Sequence, residues 1–215
     1  HMVNTKRKKY RTMIVEDDPM AARHLEMVLD KMEEICISYV IENALMAEAY
    51  CCREHIDLIL MDVCTALRSS GLEAAAKIKK IYPKKKIIIV TSQPECDFVE
   101  RARKSGVESF WYKDPSAEHL LDVMDRTMRG ESVYPDKLPV LQIGLATSEE
   151  FTARELEILR ELTSGDTDDE IAKRLHISIH TVKKYVKTLL QKTGFTTRTQ
   201  LAVMARESGI VIRGF

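Results

Sequence analysis

Glu16, Asp17 and Asp18 stand in a row directly after a short β-branched run, Thr12–Val15. Asp62 follows Leu58–Met61, Thr91 and Ser92 follow Ile87–Val90, and Lys113 follows Ser109–Tyr112. Carboxylates gathered in one place repel one another, and a hard divalent cation is the common remedy. Magnesium takes a few carboxylates and fills its other positions with water and phosphate oxygens. A lysine and a hydroxyl on the opposite side could hold the oxygens of a phosphoryl group. The chemistry open to this set is magnesium-assisted phosphoryl transfer with one aspartate as nucleophile. Any one of these residues alone reads as a polar residue closing a strand. Together, at the ends of four strands, they read as a site.

The elements that must position them follow from hydrophobic period. Five β-branched runs, Thr12–Val15, Ile37–Ile41, Leu58–Met61, Ile87–Val90 and Ser109–Tyr112, alternate with stretches of helical spacing. These stretches cover about Met20–Met32, Ala44–Arg53, Gly71–Ile81, Glu95–Ser105 and Ser116–Met128, with Pro115 suited to a first helical position. Five strand–helix repeats of this length predict a parallel sheet covered on both faces. Runs such as LILM and IIIV, apolar at consecutive positions, fit strands buried on both sides. In such sheets the chemistry sits at the carboxyl ends of the strands, where the charged residues fall.

Composition agrees with a folded chain. Of 215 residues, 45% are apolar and 31% charged, which leaves enough apolar mass for real cores. No apolar run approaches the roughly 20 residues that span a bilayer, so no membrane association is expected. The five cysteines, Cys36, Cys51, Cys52, Cys64 and Cys96, lack metal-type spacing. They read as reduced thiols of a cytoplasmic protein. The net charge of zero hides an asymmetry. Residues 12–150 carry 17 basic against 25 acidic side chains, and residues 151–215 carry 11 against 8. The basic Lys6-Arg7-Lys8-Lys9 stretch lies in residues 1–9, which read as a tag and a tail. An acidic body with a mildly basic end predicts two domains with different partners.

The strand–helix pattern ends near residue 130. Residues 131–149, with Pro135, Pro139 and Gly144, show no period and read as a linker. From residue 150 the chain turns helical. Thr152 and Glu155 form a capping-box pair ahead of Leu156, Leu159 and Leu162. A short helix over Asp168–Leu175, a turn at His176–Ile177, and a longer helix from a Ser178 cap to Thr193 read as a helix-turn-helix. Gln200–Glu207 supplies a fourth helix. In the longer helix, Val182, Val186, Leu189 and Leu190 share one face, and Lys183, Lys184 and Lys187 lie opposite, with Thr181 near its start. Lysines there can meet phosphates or guanine edges, although a solvated lysine face would look the same. His176 and His180 are four apart, but the turn between them spoils zinc geometry. Trp111 reads as core.

Residues 10–130 resemble the receiver domain of two-component response regulators through MIVEDDP, DLILMD, IIIVTS and FWYKD. The resemblance implies a flavodoxin-like, doubly wound, five-stranded fold. It implies that Glu16, Asp17, Asp62 and the Cys64 backbone carbonyl hold Mg2+, and that Asp62 accepts the phosphoryl group. Thr91 and Lys113 would attend that group, and Thr91 and Phe110 would form the switch, the aromatic ring turning inward. One departure stands out: the stretch after Asp62 reads V-C-T-A-L-R-S-S-G, without the usual Met-Pro pair and with the glycine one place late. Residues 150–215 resemble the all-α, four-helix DNA-binding domain of NarL/LuxR-type regulators. The matching features are T-x-R-E, E-I-A-x-x-L, I-S-x-x-T-V-K and R-T-Q-L-A. That resemblance implies DNA contacts from Thr181, Lys183, Lys184 and Lys187, and a dimer face around Ala202–Ala205. Asp166, Asp168 and Asp169 add negative charge near the helix that would brace against the DNA backbone.

The expectation is a transcriptional regulator, not an enzyme, whose receiver assists its own phosphorylation. A sensor histidine kinase would supply the phosphoryl group, promoter duplex DNA would be the target, and a homodimer would be the DNA-binding form. An alternative keeps DNA binding but makes the receiver a phosphorylation-independent dimerisation module. A small-molecule phosphatase would use the same carboxylates, but it lacks a Gly-rich phosphate loop and leaves the C-terminal domain unexplained.

Overall fold

Five apolar strands build the first part of the chain: β1 (Tyr10–Val15), β2 (Ile35–Ile41), β3 (Leu58–Met61), β4 (Lys86–Thr91) and β5 (Ser109–Tyr112). They form one parallel sheet in the order β2-β1-β3-β4-β5. The structure is a computed structural model that describes residues 9–93, 95, 97–113 and 119–211. Cys96, Pro115, the expected helix start at Ser116 and the tail 1–8 lie outside the described residues. Every residue of β3 is buried, as its unbroken apolar run requires. Helices α1 (Pro19–Leu29), α2 (Ala47–Arg53), α3 (Gly71–Ile81) and α4 (Asp97–Lys104) connect the strands, and α5 (Leu120–Met128) follows β5. Asp18 accepts a hydrogen bond from the Met20 amide at 3.2 Å and so caps α1. The helix ends at Leu29, three residues before the periodicity does.

Because β1 lies between β2 and β3, the strand order reverses at β1/β3. A crevice opens there beyond the carboxyl ends. The ladder continues past the strand ends and fixes the loops. The Glu16 amide donates to Ile41 O (2.9 Å), the Asp62 amide to Val15 O (3.0 Å) and the Lys113 amide to Thr91 O (2.9 Å).

Residues 64–70 fold as a small hairpin, Cys64–Thr65 against Ser69–Ser70, turning through Ala66–Arg68. Leu67 at its tip is left-handed at φ 58°. The Thr65 hydroxyl donates to Ser69 O (2.9 Å) and accepts from the Ala44 amide (3.0 Å). The Ser69 hydroxyl lies 2.6 Å from Asn43 Oδ1. The hairpin is therefore tied to the loop after β2.

The chain divides into two compact units between Asp136 and Lys137. Residues 131–149, expected as a linker, are taken up by both. Val133 is buried in the first unit's core beside Ile14, Leu120 and Met124. Ile143 and Ala146 are buried in the second unit's core, on a hairpin of Gln142–Ile143 and Ala146–Thr147. Gly144 turns that hairpin at φ 60°, and a Cβ there would lie 2.2 Å from the Thr193 carbonyl oxygen.

The second unit holds α6 (Ala153–Leu162), α7 (Asp168–Leu175), α8 (Ile179–Thr193) and α9 (Arg198–Ser208). Thr152 and Glu155 cap α6 reciprocally, Thr167 caps α7, and Ser178 caps α8. His176 adopts φ 57°, ψ 45° and reverses the chain between α7 and α8. Leu156, Leu159, Ile171, Val182, Leu189 and Leu201 make the core. Among the described residues no helix is long and apolar enough to cross a membrane.

Candidate functional site

The carboxylates of Glu16, Asp17 and Asp62 converge. One oxygen from each lies within 4.8 Å of the others. Glu16 is 3% exposed, and its Oε2 is buried without a hydrogen-bond partner. Its Oε1 accepts from the Lys113 ammonium at 2.6 Å, and Asp62 Oδ2 lies 3.5 Å from the same nitrogen. An orphaned carboxylate oxygen beside two further carboxylates is a hard-oxygen donor set that fits a magnesium ion. Asp17 is exposed and opens the cluster to solvent.

The electrostatics follow from this crowding. Burial, reinforced by a hydrogen bond with Glu16, raises the Asp62 carboxyl to about 8, against the opposing pull of Lys113. Burial lowers the Lys113 ammonium, but Asp62 and Glu16 outweigh it and leave the group raised. Burial also pushes the Cys64 thiol up to about 12, helped by the negative charge of Asp62, Asp17 and Glu16. Such a thiol is a poor nucleophile at neutral pH.

Thr91 closes β4 fully buried. Its hydroxyl accepts from the Gln93 amide at 3.1 Å. Phe110, two residues into β5, is 2% exposed. Its ring is therefore already inward, with centroids 5.0 Å from Tyr112 and 6.4 Å from Tyr134. The structure thus brings Glu16, Asp17, Asp62 and Lys113 together, with Thr91 joined to Lys113 through the backbone.

Gly71 was not legible as part of this arrangement. A Cβ at that position would sit 1.7 Å from the Asp62 carbonyl oxygen, and the Gly71 amide donates to Val63 O at 2.8 Å. The glycine ending the altered stretch is required by contact with the aspartate's own backbone. Its displacement by one place was the available signal.

In the second unit Lys183, Lys184 and Lys187 are exposed on one side of α8, opposite the buried Val182 and Leu189. Thr181 is half-buried. Its amide donates to Ser178 Oγ (3.0 Å), and its hydroxyl lies 2.7 Å from the same atom, so it takes part in the cap. The acidic residues around α7 are paired internally: Asp166 with Arg174, Asp168 with Arg198, and Asp169 with Lys173 at 3.0 Å. These pairs offset the local negative charge read from the sequence. On α9, Leu201 and Ala205 are core residues, while Val203 and Met204 are exposed. The apolar surface of that helix is therefore narrower than the Ala202–Ala205 stretch expected. Among the described residues neither His176 nor His180 joins a metal-type cluster.

Comparison with known proteins agrees with this geometry. The family profile described as response regulator receiver domain matches residues 12–125, and that of the luxR family of bacterial regulatory proteins matches residues 149–205. The chain belongs to the response-regulator family. This response regulator is 30% identical over 214 residues to the uncharacterized transcriptional regulatory protein YxjL of Bacillus subtilis, covering 94% of this chain and 98% of that one. It is 37% identical over 160 residues to the response regulator protein VraR of Staphylococcus aureus, covering 72% and 76%. The fold is shared with RcsB of Salmonella enterica serovar Typhimurium, solved bound to promoter P1flhDC in the presence of phosphomimetic BeF3−. That match has a TM-score of 0.62 at 18% identity, over 95% of this chain and 100% of the other.

Proposed function

We propose that this response regulator is a phosphorylation-switched, DNA-binding transcription regulator of the cytoplasm. The observation that carries the reading is the convergence of Glu16, Asp17 and Asp62 within 4.8 Å, with the Lys113 ammonium 2.6 Å from Glu16. In the proposed reaction an Asp62 carboxylate oxygen attacks phosphorus on the phosphohistidine of a sensor kinase. The new P–O bond replaces the P–N bond, and the imidazole leaves with the electron pair. Glu16, Asp17, Asp62 and the Cys64 carbonyl would hold Mg2+, which when bound supplies positive charge beside the phosphoryl oxygens. Lys113 pairs with one phosphoryl oxygen and Thr91 donates its hydroxyl to another.

Lys183, Lys184 and Lys187 carry the DNA contact in this reading, and Thr181 serves mainly to start the helix that presents them. Two chains on paired half-sites would set their α8 helices about 10 base pairs apart. Val203 and Met204 supply the exposed apolar residues of α9 for that pairing. Binding to the protein's own upstream DNA, with and without magnesium and beryllofluoride, tests the reading. Tighter binding with beryllofluoride is expected; equal affinity in both states would overturn the switch. The alternative, a receiver that only dimerises, draws on the rebuilt hairpin after Asp62. It predicts that magnesium and a small phosphodonor yield no adduct on the intact protein.

A further inference from the structure

β5 is an edge strand, and its outer edge is not left open. After α5 the chain turns at Gly130 (φ 96°) and returns along it. The Phe110 amide donates to Val133 O at 2.9 Å, and the Val133 amide donates to Ser109 Oγ at 3.0 Å. The Tyr134 hydroxyl donates to Val107 O at 2.6 Å. The Arg103 guanidinium of α4 lies over the Tyr134 ring, 4.1 Å from its centroid. The same ring lies 6.4 Å from the Phe110 ring, centroid to centroid. One short segment thus takes hydrogen bonds from the strand that carries Phe110, sets a ring beside that of Phe110, and leads into the chain between the two units.

We propose that Tyr134 is a positioning residue for Phe110, and that docking of residues 133–134 on β5 is coupled to occupancy of the Asp62 site. With Tyr134 docked, a second ring, held by its hydroxyl on Val107 O and by the Arg103 guanidinium over its face, packs beside the Phe110 ring and favours its inward position. A phosphoryl group at Asp62 and a docked segment then favour the same inward state. Because coupling between two sites is reciprocal, each strengthens the other. An aromatic pair of this kind corresponds to a coupling of about two- to tenfold. The inference rests on the phosphoryl-site reading and adds the route by which that site reaches the chain leading to the DNA-binding unit.

Amide hydrogen exchange on the full-length protein, with and without magnesium and beryllofluoride, is the test. In the wild type, exchange at the Phe110 and Val133 amides should slow by about two- to tenfold on addition. Amides at residues 62–64 report binding itself. Tyr134→Phe should keep the slowing at Phe110, because the ring remains. Tyr134→Ala should lose it while residues 62–64 still respond. Should Tyr134→Ala fail to fold, Arg103→Ala decides: it frees one face of the ring and should reduce the slowing. Full slowing at Phe110 in the alanine variants would overturn the proposal, as would a wild type that responds at 62–64 alone. No response at residues 62–64 would overturn the phosphoryl-site reading and the coupling with it.

Discussion

Gly71→Ala is a small substitution with a large expected effect. The added Cβ would lie 1.7 Å from the Asp62 carbonyl oxygen. A carbon and a carbonyl oxygen in close contact sit roughly 3.3 Å apart, so the two backbones must part by about 1.6 Å. The atoms in the way are backbone, held by the Gly71–Val63 and Asp62–Val15 hydrogen bonds. Gly71 has no positive φ, so alanine would otherwise gain about 0.4–1 kcal/mol by restricting the unfolded chain. Forcing extra volume into a packed site costs about 1–3 kcal/mol, so the clash wins. Misplacement by about 1 Å also costs on the order of a hundredfold in a positioned reaction. Urea unfolding should show a lower midpoint. Phosphorylation by acetyl phosphate with magnesium, followed by intact mass, should slow by at least about tenfold. A variant with the wild-type midpoint and the wild-type phosphorylation rate would refute the steric argument.

The remaining expectations concern charge and exposure. Lys183→Ala and Lys187→Ala should each weaken DNA binding and lower the slope of log affinity against log salt by about 1; unchanged slopes would remove α8 from the interface. Glu155 is held below the usual carboxylate range: burial opposes this, but hydrogen bonds from Lys192 and Thr152 prevail. The stability it contributes is therefore present above its unfolded pKa and lost as pH falls through the lower, folded value. Lys192→Ala should destabilise the protein by about 1–3 kcal/mol at pH 7, with the difference fading as pH falls through the lowered Glu155 value in parallel urea titrations. Burial pushes the Cys51 thiol up to about 11, whereas Cys36 and Cys52 are exposed. Iodoacetamide at pH 8 should label Cys36 and Cys52 well before Cys51, as read by peptide mass spectrometry.

What could be read from the sequence was what repeats or what is local. Leu58–Met61 and Ile87–Val90 are unbroken apolar runs, and their ends fix Asp62 and Thr91 as the residues that follow. The caps at Thr152 and Ser178 lie within three residues of their partners, so α6 and α8 were readable. The hairpin at Cys64–Ser70 was not, because its two-residue strands depend on hydrogen bonds to Ala44 and Asn43, some twenty residues away. The docking of Val133 and Tyr134 was hidden for the same reason. Two residues on a sheet edge have no period, and the flanking Pro135 points to a loop. The acidic run Asp166–Asp169 read as net charge, since Arg198 lies thirty residues from its partner Asp168.

Asp62, framed by Glu16, Asp17, Thr91 and Lys113, is the proposed acceptor of the phosphoryl group. Intact mass after incubation with magnesium and acetyl phosphate measures this directly. A gain of one phosphoryl group is expected, and it should disappear in Asp62→Ala and when the metal is chelated. An adduct that survives Asp62→Ala, or a wild type that gains none, would contradict it.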